Sequence, residues 1–212
     1  MARRFTGFVS AVALVFGALT SSAVAAATST DESQIRQVVA AELTALRALD
    51  PTAYAQNFCA EHRDAYEAWV QRNITPPPFE DLEGANPKRL TSLLRKNFPT
   101  VSAIAIQAFV DAATEGDRDA YHQAWRGILR EEFSHYSYRV RQVQVTGEQA
   151  EVTVQATLGK ASGTVSWQFL RESGDWTDCT APPVLSDSAA PSLKGEAPQG
   201  LLGEIGDVRA AG

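Results

Sequence analysis

Apolar residues recur at helical spacing in the part of the chain that follows Asp31. Asp31 stands at the N-cap position of a predicted helix, with Gln34 three residues later in the pattern of a capping box. The apolar positions of this helix are Ile35, Val38, Val39, Leu43, Leu46 and Leu49. Such a stripe predicts an amphipathic helix that packs one face against a core.

Later helices are predicted to begin at three further capping positions. Asp50 and Asn86 each precede a proline, which is favoured in the first turn of a helix, and Asp117 follows the helix-ending Gly116. The helix before Gly116 has a predicted buried stripe of Ile104, Ala105, Ala108, Phe109 and Ala112. The helix after Asp117 has another, of Tyr121, Trp125, Ile128, Leu129 and Phe133.

The apolar period changes to two after His135, which predicts β-strands. The first strand, "HYSYRVRQVQVTG", changes phase between Val140 and Val143, which indicates a β-bulge. The connectors "TGEQ", "GKASG" and "ESGD" are short and contain glycine, so four strands are predicted to form an antiparallel meander. One face of this sheet is apolar, and only the preceding helices are available to cover it. The predicted class is therefore α+β, with N-terminal helices packed on a curved antiparallel sheet.

The two ends of the chain differ from its middle. Residues 1–27 combine Arg3 and Arg4, an apolar run and small residues in the order of a secretory signal peptide, which indicates a secreted or cell-envelope protein. Residues 28–182 form the predicted domain, and no stretch after the signal peptide is apolar for long enough to span a bilayer. Residues 183–212 are rich in Pro, Gly, Ser and Ala without a sustained period, so we expect a disordered tail.

Charge argues against a nucleic-acid partner. The chain has 19 Lys and Arg against 25 Asp and Glu, a net charge of −6, and removal of residues 1–27 takes away two arginines and no acid. Binding of phosphates needs clustered cations, so we do not expect this protein to bind nucleic acid. The sequence contains no serine-hydrolase, zinc-protease, P-loop or dinucleotide motif. We therefore assign no catalytic residue, no metal ligand and no cofactor.

The chain has two cysteines, Cys59 and Cys179. An even number of cysteines in an exported chain favours a disulfide, which would tie the helical half to the last strand. Two unpaired structural thiols are the alternative, and a reactive Cys59 beside His62 is a further one. A metal site would need additional Cys or His residues at close spacing, which neither cysteine has.

The phrases "ALRALDPTAYAQNFC" and "FVDAATEGDRDAYHQAW", followed by a meander that ends in "GDWTDC", resemble the NTF2-like (SnoaL-like, cystatin-like) superfamily. More narrowly, they resemble its exported actinobacterial members. The resemblance spans roughly residues 31–181 and implies a cone-shaped sheet, with residues from about 72 to 133 as an enlarged helical insertion over its mouth. It also implies a concave pocket, for which the candidate lining residues are Trp125, Tyr136, Tyr138 and Trp167. Plain core positions are the alternative for these aromatic residues.

Enzymes of this superfamily that resemble ketosteroid isomerase place an acidic base opposite tyrosine donors in the pocket. Here no carboxylate falls on the apolar phase of the two central strands, and we expect the nearest ones, Glu132 and Asp178, to be solvated. The resemblance then implies non-enzymatic binding of an apolar small molecule or of an envelope protein. An isomerase, dehydratase or cyclase that uses the pocket is the alternative. Homodimerisation through the outer face of the sheet is also implied.

Overall fold

The computed structural model describes residues 25–26, 29–82 and 85–182, in which six α-helices precede the four main strands. The predicted α+β class is confirmed. The predicted signal peptide of residues 1–27 lies outside the described residues except for Ala25 and Ala26, and the predicted tail of residues 183–212 lies outside them entirely. Within the described ranges, none of the helices has both the length and the apolar character needed to cross a bilayer.

The helices begin where the sequence supplies caps. Asp50, Asn86 and Asp117 each accept a hydrogen bond from a backbone amide of the first turn, at 2.9 to 3.0 Å. Gly116 ends its helix with a φ of 81°, a left-handed conformation that glycine adopts without strain. The helices are α1 (Ser29–Ala48), α2 (Pro51–Ala55), α3 (Arg63–Ile74), α4 (Pro87–Asn97), α5 (Ala103–Glu115) and α6 (Arg118–Ser134), with a 3₁₀ turn at Phe79–Leu82.

The start of α1 and the buried stripe of α5 differ from their predictions. The helix α1 begins at Ser29, and the side chain of Asp31 accepts hydrogen bonds from Arg171 and Trp176 in the sheet. In α5, Ile104 is 83 % exposed, and the buried residues are Ile106, Phe109, Val110, Ala112 and Ala113. The stripe prediction is confirmed for Phe109 and Ala112 and wrong for Ile104 and Ala108, which are exposed. Because α5 has apolar residues on nearly every face, the sequence period does not fix its buried side.

The sheet is an open antiparallel meander, as its short glycine-containing connectors predict. The register between the first two long strands shifts between Val140 and Gln142, which confirms the predicted bulge. Its strands, in spatial as well as chain order, are β1 (Ala25–Ala26), β2 (Tyr136–Thr146), β3 (Gln149–Leu158), β4 (Ala161–Glu172) and β5 (Asp175–Asp178). Since β1 and β5 are the two ends of this order, the sheet does not close.

The core of the described residues has two apolar clusters. The helical cluster is formed mainly by α1 to α6 and includes Leu46, Phe58, Phe109 and Trp125. The sheet cluster is formed by the start of α1 and the inner face of the strands: Ile35, Val39, Val140, Val145, Ala150, Val152, Val154, Phe169 and Trp176. The helix α1 contributes to both clusters, so its middle turns lie at the boundary between them.

Candidate functional site

The four aromatic residues predicted to line a pocket divide between the two clusters. Trp125 and Tyr136 belong to the helical cluster, Trp167 packs against the sheet cluster, and Tyr138 packs against both. The indole of Trp125 donates to the carbonyl oxygen of Ile74 at 3.0 Å. Tyr138 and Trp167 meet edge to face, with ring centroids 5.2 Å apart. The structure thus brings Tyr138 and Trp167 together, and ligand contact for all four stays a prediction.

One carboxyl group that was not predicted to belong to the site lies on the apolar stripe of α1. Glu42 stands three residues after Val39 and four before Leu46, and only 1 % of it is exposed. Val39 belongs to the sheet cluster and Leu46 to the helical cluster. The Oε1 atom of Glu42 is buried and has no hydrogen-bond partner among the described residues. A buried carboxyl oxygen without a partner is rare in native proteins, so Glu42 is the starting point of the candidate site.

Two arginines of α1 hold the helix on strand β2. Arg36 Nη1 donates to the carbonyl oxygen of Val140 at 3.0 Å, and Arg47 Nη2 donates to that of Tyr136 at 2.6 Å. Tyr138 lies between these two acceptors on β2, and Glu42 lies between the two arginines on α1. The helix and the strand therefore run side by side over this stretch.

The second acid of the site is Asp178, the last residue of β5. It is 2 % exposed, so the prediction that it is solvated is wrong. Its backbone pairs with Phe169 of β4 on one side and forms a parallel bridge with Phe58 on the other. Because the segment after α2 covers this strand, the edge of the meander is not open to water here. The Asp178 Oδ1 atom accepts from the amide of Thr180 at 2.7 Å.

Electrostatic coupling joins these groups into one site. Burial raises the pKa of Glu42 well above its ordinary value, and the charge of Asp178 raises it further. Burial likewise raises the pKa of Tyr54 in α2, with smaller contributions from Tyr138, Glu42, Tyr66 and Asp178. We call Glu42, Tyr54, Tyr138 and Asp178 the acid–tyrosine cluster. A neutral Glu42 has one O–H to donate and further lone pairs to accept with.

Glu132 is the other acid for which the prediction of a solvated side chain is wrong, since 1 % of it is exposed. It lies in the last turns of α6 and accepts a hydrogen bond from the hydroxyl of Thr100, in the connection between α4 and α5. The short chain between those helices folds over this part of α6, which removes the carboxyl group from water. We assign Glu132 to helix packing, because its partner belongs to that connection.

Cys59 and Cys179 lie at disulfide distance, with Cα atoms 5.2 Å apart, as their predicted pairing requires. We call this pair the clasp. The sulfur of Cys59 also lies within 4.8 Å of potential metal-ligand atoms in Glu172, Glu61 and His62. A metal ion would need the two sulfurs as free thiolates. The two sulfurs instead lie at a distance at which they form a disulfide bond with each other. We therefore assign the pair to the clasp.

Comparison with known proteins gives no further identification. No family model matches the chain, and no curated protein or solved structure is similar to it. The fold and the site define an α+β protein with a buried acid–tyrosine cluster between its first helix and its sheet. The NTF2-like resemblance stays a prediction.

Proposed function

We propose that the protein is an exported, non-enzymatic domain of the NTF2-like type that binds an apolar small molecule at the acid–tyrosine cluster. The observation that carries this proposal is Glu42, which is 1 % exposed and has a carboxyl oxygen without a partner among the described residues. An unsatisfied buried polar group costs about 1–3 kcal/mol. A cost of this size at a position on an apolar stripe favours a role in binding over a role in packing.

The chemistry of the cluster favours a neutral ligand with one hydrogen-bonding group. The apolar clusters on both sides of Glu42 would pack against the hydrocarbon part of such a ligand. The raised pKa of Glu42 favours its neutral form, which can donate to a ketone or hydroxyl oxygen of the ligand. The aromatic rings of Tyr138 and Trp167 offer a flat apolar surface beside this group.

The test is titration with prodan, a neutral fluorescent ketone whose emission shifts to the blue in apolar surroundings. We expect saturable binding by the wild-type protein and by Glu42→Gln, whose amide still donates. Glu42→Leu should bind at least about tenfold more weakly, because one hydrogen bond to a buried carbonyl is lost. Glu32→Gln changes a partly exposed acid of the same helix and should bind normally.

Equal binding by Glu42→Leu and wild type would contradict the assigned site. If the wild-type protein shows no saturable binding, the ligand proposal fails and the envelope-protein partner becomes the leading function.

Recovery of a cleaved form beginning after Ala25 or Ala27 in the extracellular fraction would support export. Size-exclusion chromatography with light scattering tests the homodimer, and a monomer at high concentration would contradict it.

A specific observation also favours the second candidate, an isomerase, dehydratase or cyclase. Asp178 lies close enough to raise the pKa of Glu42, so one site would hold two carboxyl groups, with Glu42 as the proton donor and Asp178 as the base. Such a pair can remove a proton beside a carbonyl group and return it elsewhere. Deuterium exchange from D₂O into an enolisable cyclic ketone tests this activity, and Asp178→Asn should abolish it. Exchange no faster than in buffer would exclude this reaction.

A further inference from the structure

The exposed surface of α4 is positively charged, although the whole protein is negatively charged. Residues 85–110 contain four cations and no acid, in a chain whose net charge is −6. The cations are Lys88, Arg89, Arg95 and Lys96, all exposed. Positions seven residues apart lie on the same side of a helix, so Lys88 and Arg89 recur two turns later as Arg95 and Lys96, about 10 Å further along the axis.

None of the four cations forms an ion pair with an acid of residues 29–82 or 85–182. The opposite side of α4 is buried through Leu90 and Leu94. The helix is therefore fixed to the body of the protein by one side and presents a positive stripe on the other.

Ile104 lies in the first turn of α5 and is the one large exposed apolar residue among those described. The helix α4 ends at Asn97 and α5 begins at Ala103, so a short connection places Ile104 at the end of the helix pair that carries Arg95 and Lys96. Ser102, the N-cap of α5, donates to Glu131 from its amide at 2.7 Å and from its hydroxyl at 3.0 Å. Those bonds anchor the start of α5, so Ile104 projects from a fixed helix end.

We propose that α4 and Ile104 form a contact surface for an anionic lipid bilayer. This interfacial patch consists of Lys88, Arg89, Arg95, Lys96 and Ile104. The cations match the phosphate groups of an acidic membrane surface, where each Lys or Arg attracts the protein independently. A soluble polyanion would bind through the cations alone. At a bilayer, insertion of the exposed isoleucine at the boundary between headgroups and acyl chains would add binding free energy. The combination of both features favours the bilayer.

The test is co-sedimentation of the full chain with vesicles of phosphatidylglycerol and phosphatidylcholine, compared with phosphatidylcholine alone. We expect binding only to the anionic vesicles, and its loss when the salt concentration is raised to about 1 M, where the screening length falls to about 3 Å. Arg95→Gln/Lys96→Gln should bind about 25-fold more weakly, at about fivefold for each cation. Ile104→Ser should bind about fivefold more weakly through the lost apolar contact.

The matched control is Arg139→Gln/Arg141→Gln, which removes two exposed cations from strand β2, outside the patch. This variant should bind like the wild type, and circular dichroism should show that every variant is folded. Equal binding to both kinds of vesicle, or equal weakening by the control, overturns the proposal. Tight binding to soluble polyphosphate with no effect of Ile104→Ser would instead identify a general polyanion surface and overturn the bilayer.

Discussion

The amide nitrogen of Cys59 donates a hydrogen bond to the carbonyl oxygen of Asp178, at 2.8 Å. The amide of Asp178 in turn donates to the carbonyl oxygen of Asn57, at 3.0 Å. The backbone that carries one half of the clasp therefore also positions an acid of the acid–tyrosine cluster. Stability and site geometry depend on the same few residues.

Reduction of the clasp should lower stability strongly. The paired cysteines are 120 residues apart, and closing a loop of this length is worth about 4–5 kcal/mol in the chain-entropy model. Urea unfolding with and without dithiothreitol measures the effect. Cys59→Ser/Cys179→Ser should be as unstable as the reduced wild type and insensitive to the reductant. Two free thiols in non-reduced protein, detected by mass spectrometry, would contradict the clasp.

The stability of the protein should decrease with rising pH through the titration of Glu42. Below about pH 4.3 both the native and the unfolded states hold the Glu42 proton. Above it the unfolded chain ionises, while burial and Asp178 keep the native pKa raised, so this contribution to stability is lost as the pH rises toward the native pKa. The loss has a slope of up to about 1.4 kcal/mol per pH unit.

Glu42→Gln removes this titration, so its stability relative to wild type should improve steadily as the pH rises above about 4.3. Urea unfolding across that range gives the difference between the two proteins. Glu32→Gln, on the same helix and partly exposed, should follow the wild-type curve. A constant difference between Glu42→Gln and wild type at every pH would show that folding leaves the pKa of Glu42 unchanged, and would contradict its raised pKa.

Asp31→Ala should destabilise the junction between α1 and the sheet. Asp31 forms an ion pair with Arg171 and accepts from Trp176 Nε1 at 3.1 Å, and its side chain is only 13 % exposed. Hydrogen bonds to a charged group of this kind are worth about 1.5–3 kcal/mol. Chemical unfolding should show a loss in this range. Glu80→Ala breaks the pair with Arg118 on an exposed surface and should change stability little; equal losses in both variants would contradict the assignment.

Gly159→Ala should be more costly than the same change at Gly147. Both glycines have positive φ, 57° and 63°, so alanine at either costs about 1–2 kcal/mol. Only at Gly159 would the new Cβ lie 2.8 Å from the Thr100 methyl group, which the hydrogen bond to Glu132 keeps from rotating away. Thr100→Ser removes the methyl and keeps the hydroxyl, so it should reduce the cost of Gly159→Ala to that of Gly147→Ala. No rescue in the double variant would contradict this packing.

Local signals in the sequence were sufficient for most of the fold. The caps at Asn86 and Asp117, the stop at Gly116 and the change of period after His135 each act within a few residues, so their outcome does not depend on distant packing. Glu42 had such a signal too. Positions 35, 39, 42, 46 and 49 follow the spacing of a buried stripe, and Glu42 is passed over only because carboxylates are ordinarily exposed.

The rest of the site could not be predicted from local patterns. Asp178 is buried because the segment around Phe58, more than a hundred residues earlier in the chain, covers the last strand. The exposed position of Ile104 depends on which of several apolar faces α5 turns toward its neighbours. Both outcomes follow from tertiary packing that overrides the local period.

The last strand has a consequence for the order of folding. Trp176 reaches back to Asp31, Asp178 pairs with the segment of Phe58, and Cys179, directly after the strand, meets Cys59. These contacts join residues 120 to 145 positions apart, and such long closures are entropically costly before they are made. The domain can therefore complete its structure only after nearly all of it has been synthesised. A ribosome-bound chain that ends before β5 would still lack these closing contacts.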